Sequence, residues 1–229
     1  MPYLVNMCPK DFEQAKKDGL TLLVPVGTVE YHGSQLPLGT DLFVTEGLCR
    51  EIEKRVPVVV APSFTFSPNG YAVSGPDKGT VDISVDTFMK HCGEILRNYR
   101  EMGFKKIVVI VHHQADNIIK MLQAEIIKMN MYETYKETGN GWWTDNKASK
   151  YNCSISVLPA KLGTDVFPGH GGIGETEAVL ALYPELVKME NIDDIDKEPF
   201  WNKTAFKAKK EHADEQLEKI LKIWIEKLS

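Results

Sequence analysis

With 229 residues, 43% of them hydrophobic, the chain can bury a sizeable core without staples and suits one domain, or one domain with an insertion. Its 32 acidic against 27 basic residues leave a net charge of −5, which argues against nucleic acid as a partner, because phosphate binding needs clustered Lys and Arg. Four scattered cysteines, an N-terminus without a basic segment before an apolar core, and no apolar run of the roughly 20 residues that span a bilayer predict a soluble, cytoplasmic protein with free thiols and no membrane partner.

In chain order, Pro9 to Lys17 reads as a short helix that Gly19 ends. Leu20 to Val26 is an apolar run of strand length, as expected of a buried parallel strand. Gly27 to Asp41 is a loop dense in Gly, Pro and polar groups, at the strand end where open α/β sheets place their ligands. Leu42, Val44, Leu48 and Ile52 recur at helical spacing, so Leu42 to Val56 is a helix on the sheet, and Val58 to Ala61 is a second buried strand. Residues 63–82, rich in Ser, Gly and Pro, form a long loop of the kind that often carries function.

Asp86 to Gly103 is a helix with Phe88, Cys92, Ile95, Leu96 and Tyr99 on one face, and Lys105 to Val111 is the clearest strand of the chain. A turn over His112 to Asn117 leads to a helix over Ile118 to Met131. Tyr132 to Tyr151, with Gly139, Gly141, Trp142 and Trp143 among polar residues, breaks the α/β rhythm and reads as an excursion, a flap or a subunit contact. A strand over Ser154 to Leu158, a glycine-rich segment over Asp165 to Gly174 and a helix from Glu175 to Leu182 follow. The basic run Lys207 to Lys210, broken by Ala208, reads as a solvated helix face, and an amphipathic helix closes the chain as part of a C-terminal extension near 203–229. Strand–helix alternation predicts a three-layer α/β/α sandwich around a mostly parallel sheet.

Three segments carry groups with chemistry. Glu30, His32 and Asp41 lie within twelve residues just past a buried strand, and carboxylate with imidazole suits zinc, manganese or iron. Glu30 and His32 point the same way on an extended backbone, and a carboxylate such as Asp41 can bridge two metal ions about 3.5–4 Å apart. The competing reading is a polar loop with a capping Asp before a helix. His112 and His113 close the clearest strand; adjacent side chains diverge, so one of the two is expected to face a ligand. Pro168 to Glu177 is glycine-rich around His170 and Glu175; it lacks the Lys and Ser/Thr of a P-loop, and Glu175 also suits a charge at a helix start.

Together these segments resemble the creatininase (creatinine amidohydrolase) family. Pro25-Val26-Gly27-Thr28-Val29-Glu30-Tyr31-His32-Gly33 through Leu36-Pro37-Leu38-Gly39-Thr40-Asp41 is similar to that family's P-x-G-S-x-E-Q-H-G-x-H-L-P-L-x-T-D signature. The 104–116 segment resembles its strand followed by N-G-H-G-G-N, with His113 at the histidine, and 170–176 resembles its H-A-G-x-x-E-T. The resemblance covers roughly residues 10–187. It implies a dinuclear centre of two divalent ions (Zn2+, Mn2+ or Fe2+) held by Glu30, His32, Asp41 and His113, with Asp41 the bridge. Glu175 would be a ligand or contact the metal water, and His170 a general acid/base or a substrate contact. It also implies a small-molecule substrate and a homo-oligomer, a hexamer.

Two departures stand out. Where creatininase proper has a ligand Glu two residues after the strand-end histidine, the chain has Ala115, and where it has a Glu before the later histidine, the chain has Gly169. Asp116 or Glu175 is then expected to supply the missing oxygen ligand. Tyr71, His112, Gln114, Asp116, Trp142 and Trp143 are candidate substrate-binding residues. The implied activity is hydrolysis of a small polar, cyclic substrate such as a cyclic amide; ring opening of a diketo-inositol is the alternative within the family, and a non-catalytic ligand-binding or scaffold oligomer the alternative outside it.

Overall fold

The computed structural model describes residues 3–139 and 152–229. Among these residues four parallel strands, β1 (Thr21–Val26), β2 (Val58–Val60), β3 (Lys106–Val111) and β4 (Ser154–Pro159), form a sheet in the order β2-β1-β3-β4. Among the described residues six α-helices accompany them: α1 (Pro9–Lys17), α2 (Thr40–Glu53), α3 (Val85–Glu101), α4 (Ala115–Thr138), α5 (Ile173–Leu182) and α6 (Lys210–Leu228).

The pleat of the central strands sends successive side chains to opposite faces, and each face is covered. Leu22, Val24, Val26, Ile107, Val109 and Val111 meet α1, α3 and α4 through Ala15, Phe88, Leu96, Ile118 and Leu122. Leu23, Val108 and Ile110 meet α2, α5 and α6 through Val44, Leu48, Val179, Leu221 and Trp224. Both faces of β1 are therefore buried, which is why it reads as a continuous apolar run rather than an alternating one. The result is the expected three-layer α/β/α sandwich.

Boundaries differ from the sequence reading at informative places. Helix α2 begins at Thr40, so Asp41 sits in its first turn instead of closing the preceding loop. The N-cap is Gly39, with no side-chain capping bond, so Asp41 is not the capping residue. Helix α4 starts at Ala115 and continues past Met131 to Thr138, where Gly139 ends it in a left-handed conformation (φ 71°). The first part of the expected excursion, 132–138, is thus helical; Trp142 and Trp143 lie outside the described residues. Between α5 and α6 the chain crosses the surface in three short 3-10 turns, Pro184–Leu186, Met189–Asn191 and Ala205–Lys207.

One register decides where the chemistry falls. Val26, the last residue of β1, is paired with Val111, the last of β3. The loops that follow both strands therefore leave the carboxyl edge of the sheet side by side.

Candidate metal centre

Beyond Val26 the chain folds tightly onto α2. A Cβ on Gly27 would lie 2.6 Å from the Leu42 amide nitrogen and 2.8 Å from the Asp41 carbonyl carbon, so only glycine admits this approach of strand end and helix start. The Glu30 amide donates to the Leu38 carbonyl (2.8 Å), closing the loop between them. Glu30, His32 and Asp41 end up buried, although all three belong to a strongly polar segment.

Their side chains converge with two further segments. His113 Nδ1 lies 3.1 Å from Glu30 Oε2 and 3.2 Å from Asp41 Oδ2. His32 Nε2 lies 3.6 Å from Asp41 Oδ1 and 3.5 Å from Glu175 Oε2. Asp41 thus belongs to two ligand-competent groups at once, Glu30–Asp41–His113 and His32–Asp41–Glu175, each with its ligand atoms within 4.8 Å of one another. A third such group joins Glu30, His32 and His170.

The hydrogen bonds behind the histidines fix which nitrogen faces inward. A carbonyl only accepts, so the Glu30 carbonyl takes the Nδ1 proton of His32 (2.9 Å) and the Pro68 carbonyl takes the Nε2 proton of His113 (3.2 Å). The remaining nitrogen of each neutral ring is a lone pair aimed at carboxylate oxygens, acceptor against acceptor. His32 Nε2 and Asp41 Oδ2 are buried without a hydrogen-bond partner among the described residues. Such an arrangement requires positive charge. Without a metal, protons supply it. Burial works against the His32 imidazolium, yet the Asp41 and Glu175 carboxylates outweigh it and raise the group to about 9. Burial likewise opposes the His113 charge, and the facing Asp41 and Glu30 carboxylates outweigh it and lift the group to about 10. Burial raises the Asp41 carboxyl, but His32 and His113 overcome it and hold the group well below the usual carboxylate range. Divalent cations would satisfy the same atoms with both rings neutral, so the donor set fits the metals that the sequence resemblance implies.

Glu175 stands in the first turn of α5, reached through glycines that a side chain could not replace. A Cβ on Gly171 would meet the Trp201 ring and the His32 carbonyl, and one on Gly174 would meet the Pro168 backbone. The Gly171 amide donates to Glu175 Oε2 (2.6 Å), and His112 Nε2 lies 3.0 Å from Glu175 Oε1. His113 thus belongs to a ligand-competent group, whereas its neighbour His112 reaches the cluster through Glu175. Strand pairing stops at Val111 and the chain turns at once through Gln114, left-handed at φ 36°, so the alternation of a strand no longer applies. His170 stacks on His32 with ring centroids 4.2 Å apart; its Nε2 hydrogen-bonds the Tyr31 carbonyl (3.0 Å), and Nδ1 lies 3.9 Å from Glu175 Oε2.

A cavity of about 270 Å3 opens above these groups, its remaining wall made by Ala72, Val73, Gln114 and Gly169. Two sequence candidates stand outside it. Tyr71 is exposed, and its neighbours Ala72 and Val73 line the cavity in its place. Asp116 is exposed on the first turn of α4 and belongs to none of the ligand groups, so Glu175 is the carboxylate that the fold brings opposite His32. Trp201, Asn202 and Thr204 escaped the sequence reading. Trp201 lies edge-on to His170 (centroids 4.8 Å apart) and to Tyr31 (5.9 Å), in a segment with no motif to mark it.

Comparison with known proteins bears on the fold and the family. The chain is 24% identical over 195 residues to the creatinine amidohydrolase of Pseudomonas putida, covering 81% of this chain and 73% of that protein. It is 23% identical over 198 residues to the 3-dehydro-scyllo-inosose hydrolase of Thermotoga maritima, covering 82% of this chain but only 58% of that protein. A crystal structure of creatininase superposes with a TM-score of 0.80 at 19% identity, covering 99% of this chain and 96% of the other. Two further creatininase structures, one of a Zn-Zn type and one with Mn, each give 0.77, at 18% and 20% identity, over 99% of this chain and 96% and 97% of theirs. The family model described as creatinine amidohydrolase matches residues 6–219, extending beyond residue 187, where the motif resemblance ended. With most of its length inside that match, the chain belongs to the creatininase family.

Proposed function

We propose that the chain is a metal-dependent hydrolase whose centre holds two divalent ions. The observation that carries the reading is the division of Asp41: Oδ2 faces His113 while Oδ1 faces His32, with a buried, unpartnered atom on each side. Glu30, Asp41 and His113 hold one ion; His32, Asp41 and Glu175 hold the other, Glu175 standing in for the oxygen ligand that Ala115 cannot supply. Ions so held lower the pKa of a water and polarise the bond under attack. Zn2+, Mn2+ and Fe2+ all suit this mixture of carboxylate and imidazole.

The residues around the ions bind and orient. His170, half-buried between His32 and Trp201, is held at Nε2 by the Tyr31 carbonyl, which leaves Nδ1 toward Glu175 and the cavity to hold or deliver a proton. Glu175 shares that work beside its ligand role. His112 and Gln114 provide polar contacts for substrate; the Gln114 amide donates to the Asn69 carbonyl (3.2 Å), so its carbonyl oxygen remains to accept from a substrate N–H or O–H. Trp142 and Trp143 remain substrate-binding candidates by sequence. A small polar ring, a cyclic amide or a related ring, is the substrate class. The Thermotoga relative favours a second reading, ring opening of a cyclic polyol ketone such as a diketo-inositol. By family resemblance the protein acts as a homo-oligomer, a hexamer, and the sequence composition favours the cytoplasm; among the described residues no helix is long and apolar enough to cross a membrane.

Metal content by plasma mass spectrometry, with and without His113→Ala, tests the reading. About two ions per chain, falling in the variant, support it, and turnover of lactams against cyclic polyol ketones then separates the two substrate classes. A purified chain that neither carries nor takes up metal refutes it and leaves a binding or scaffold role.

A further inference from the structure

The segment between α5 and α6 crosses directly behind the second half of this centre. Gln35, in the loop that carries His32 and Asp41, is buried, and its Nε2 faces the Gly171 carbonyl (2.6 Å), Asn202 Oδ1 (2.9 Å) and Thr176 Oγ1 (3.1 Å). Asn202, fully buried, returns a bond from Nδ2 to Gln35 Oε1 (3.0 Å) and gives a second to Glu198 Oε2 (2.8 Å). Glu198 Oε1 in turn accepts from Ser34 Oγ (2.6 Å). The two amides form a reciprocal pair whose outer end is anchored back on the residue beside Gln35.

This pair has consequences one bond away from the ligands. The Gly171 carbonyl is held by Gln35, while the Gly171 amide holds Glu175 Oε2. His32 lies three residues before Gln35. Thr204 Oγ1 accepts from the Ile173 amide at the start of α5 (3.1 Å), and Trp201 packs on His170. Glycine at 33 and 171 allows the fit, since a Cβ there would meet the Asn202 side chain and the Trp201 ring respectively. Glu30, Asp41 and His113 receive no bond from this segment among the described residues; their support comes from Leu38, α2 and Pro68.

We propose that Gln35 and Asn202 are positioning residues for the second ion alone: the amide pair sets the distance between His32 and Glu175 by tying their two loops to the 198–205 segment. The proposal rests on the dimetal reading above. A buried amide pair suits the task because every donor and acceptor in it is matched, and a shift of either loop would leave one of these buried groups unpaired.

The test is titration of the metal-stripped full-length chain with Mn2+ or Zn2+ by calorimetry, with stoichiometry checked by mass spectrometry. The wild type should take up two ions. Asn202→Leu, close in size, should weaken the second ion about 10- to 100-fold and leave the first unchanged, as loss of a group supporting a ligand does elsewhere. Adding Asn202→Leu to His32→Ala should have no further effect, which identifies the affected ion. Glu198→Ala, at the partly exposed end of the chain of bonds, carries the same test should Asn202→Leu fail to fold, with a several-fold weakening expected. Two ions bound with wild-type affinities in both variants, or equal weakening of both ions, would overturn the positioning role while sparing the dimetal reading. A wild type that binds no metal would overturn that reading and the present one with it.

Discussion

Asp41→Asn isolates the claim on which the site depends, because it keeps the size of the side chain and removes the charge shared by the two halves. An amide can offer its oxygen to one side only; the other side would present N–H hydrogens to a lone pair or to a cation. Both ions should therefore bind weakly in the variant. The effect can be sized from linkage. At a free concentration a hundred times the dissociation constant, each ion adds about 2.7 kcal/mol to stability. A chain of this length moves by about 2–4 °C per kcal/mol, so two ions should raise the wild-type melting temperature by about 10–20 °C. Differential scanning fluorimetry of metal-stripped and metal-loaded samples measures the shift, each protein compared with its own metal-free form so that differences in basal stability cancel. The shift should fall below about 5 °C in Asp41→Asn. A residual shift near half the wild-type value would mean that Asp41 serves one ion only. A shift equal to the wild-type one would refute the bridging assignment.

The metal-free protein should also depend on pH in a direction that the site dictates. His32 and His113 are raised in the folded state to about 9 and about 10. A raised value means that the stabilisation is complete below the unfolded value of about 6.5 and is lost as pH climbs through the folded values. Urea midpoints of the stripped protein should therefore fall between about pH 6.5 and pH 10, whereas metal-loaded protein, with neutral imidazoles, should hold its midpoint or gain as protons cease to compete. Parallel curves with and without metal would contradict this account. Gly27→Ala should destabilise by about 1–3 kcal/mol, because the added methyl must displace backbone atoms of α2 rather than a flexible side chain. It should also lower metal uptake, since the turn pushed aside carries Asp41; a change under about 0.5 kcal/mol in chemical denaturation would show that the close approach relaxes freely.

Much of this fold was readable because its signals are local. The runs over residues 22–26 and 107–111 are apolar throughout since both faces of each are covered. The Glu30–Asp41 loop announced itself by packing three metal-competent side chains past a buried strand. Errors arose where a boundary depends on packing. The end of α4 lies seven residues beyond Met131, because polar residues such as Lys136 and Glu137 continue a helix on its solvent side as readily as they form a loop.

Order and spacing along the chain were enough to indicate the α/β architecture, the glycines that permit close turns, and which residue types sit at strand ends, for these follow from hydrophobic period and backbone stereochemistry. Only the tertiary structure decided which oxygen of Asp41 faces which histidine, that Glu175 rather than Asp116 stands opposite His32, and that Gln35 meets Asn202 across 167 residues of chain. The reason is physical. Those pairings depend on the register that aligns Val26 with Val111 and on the path of an irregular segment across the sheet edge. A side chain in such a segment carries no periodicity, and its partner is set by the shape of everything packed around it.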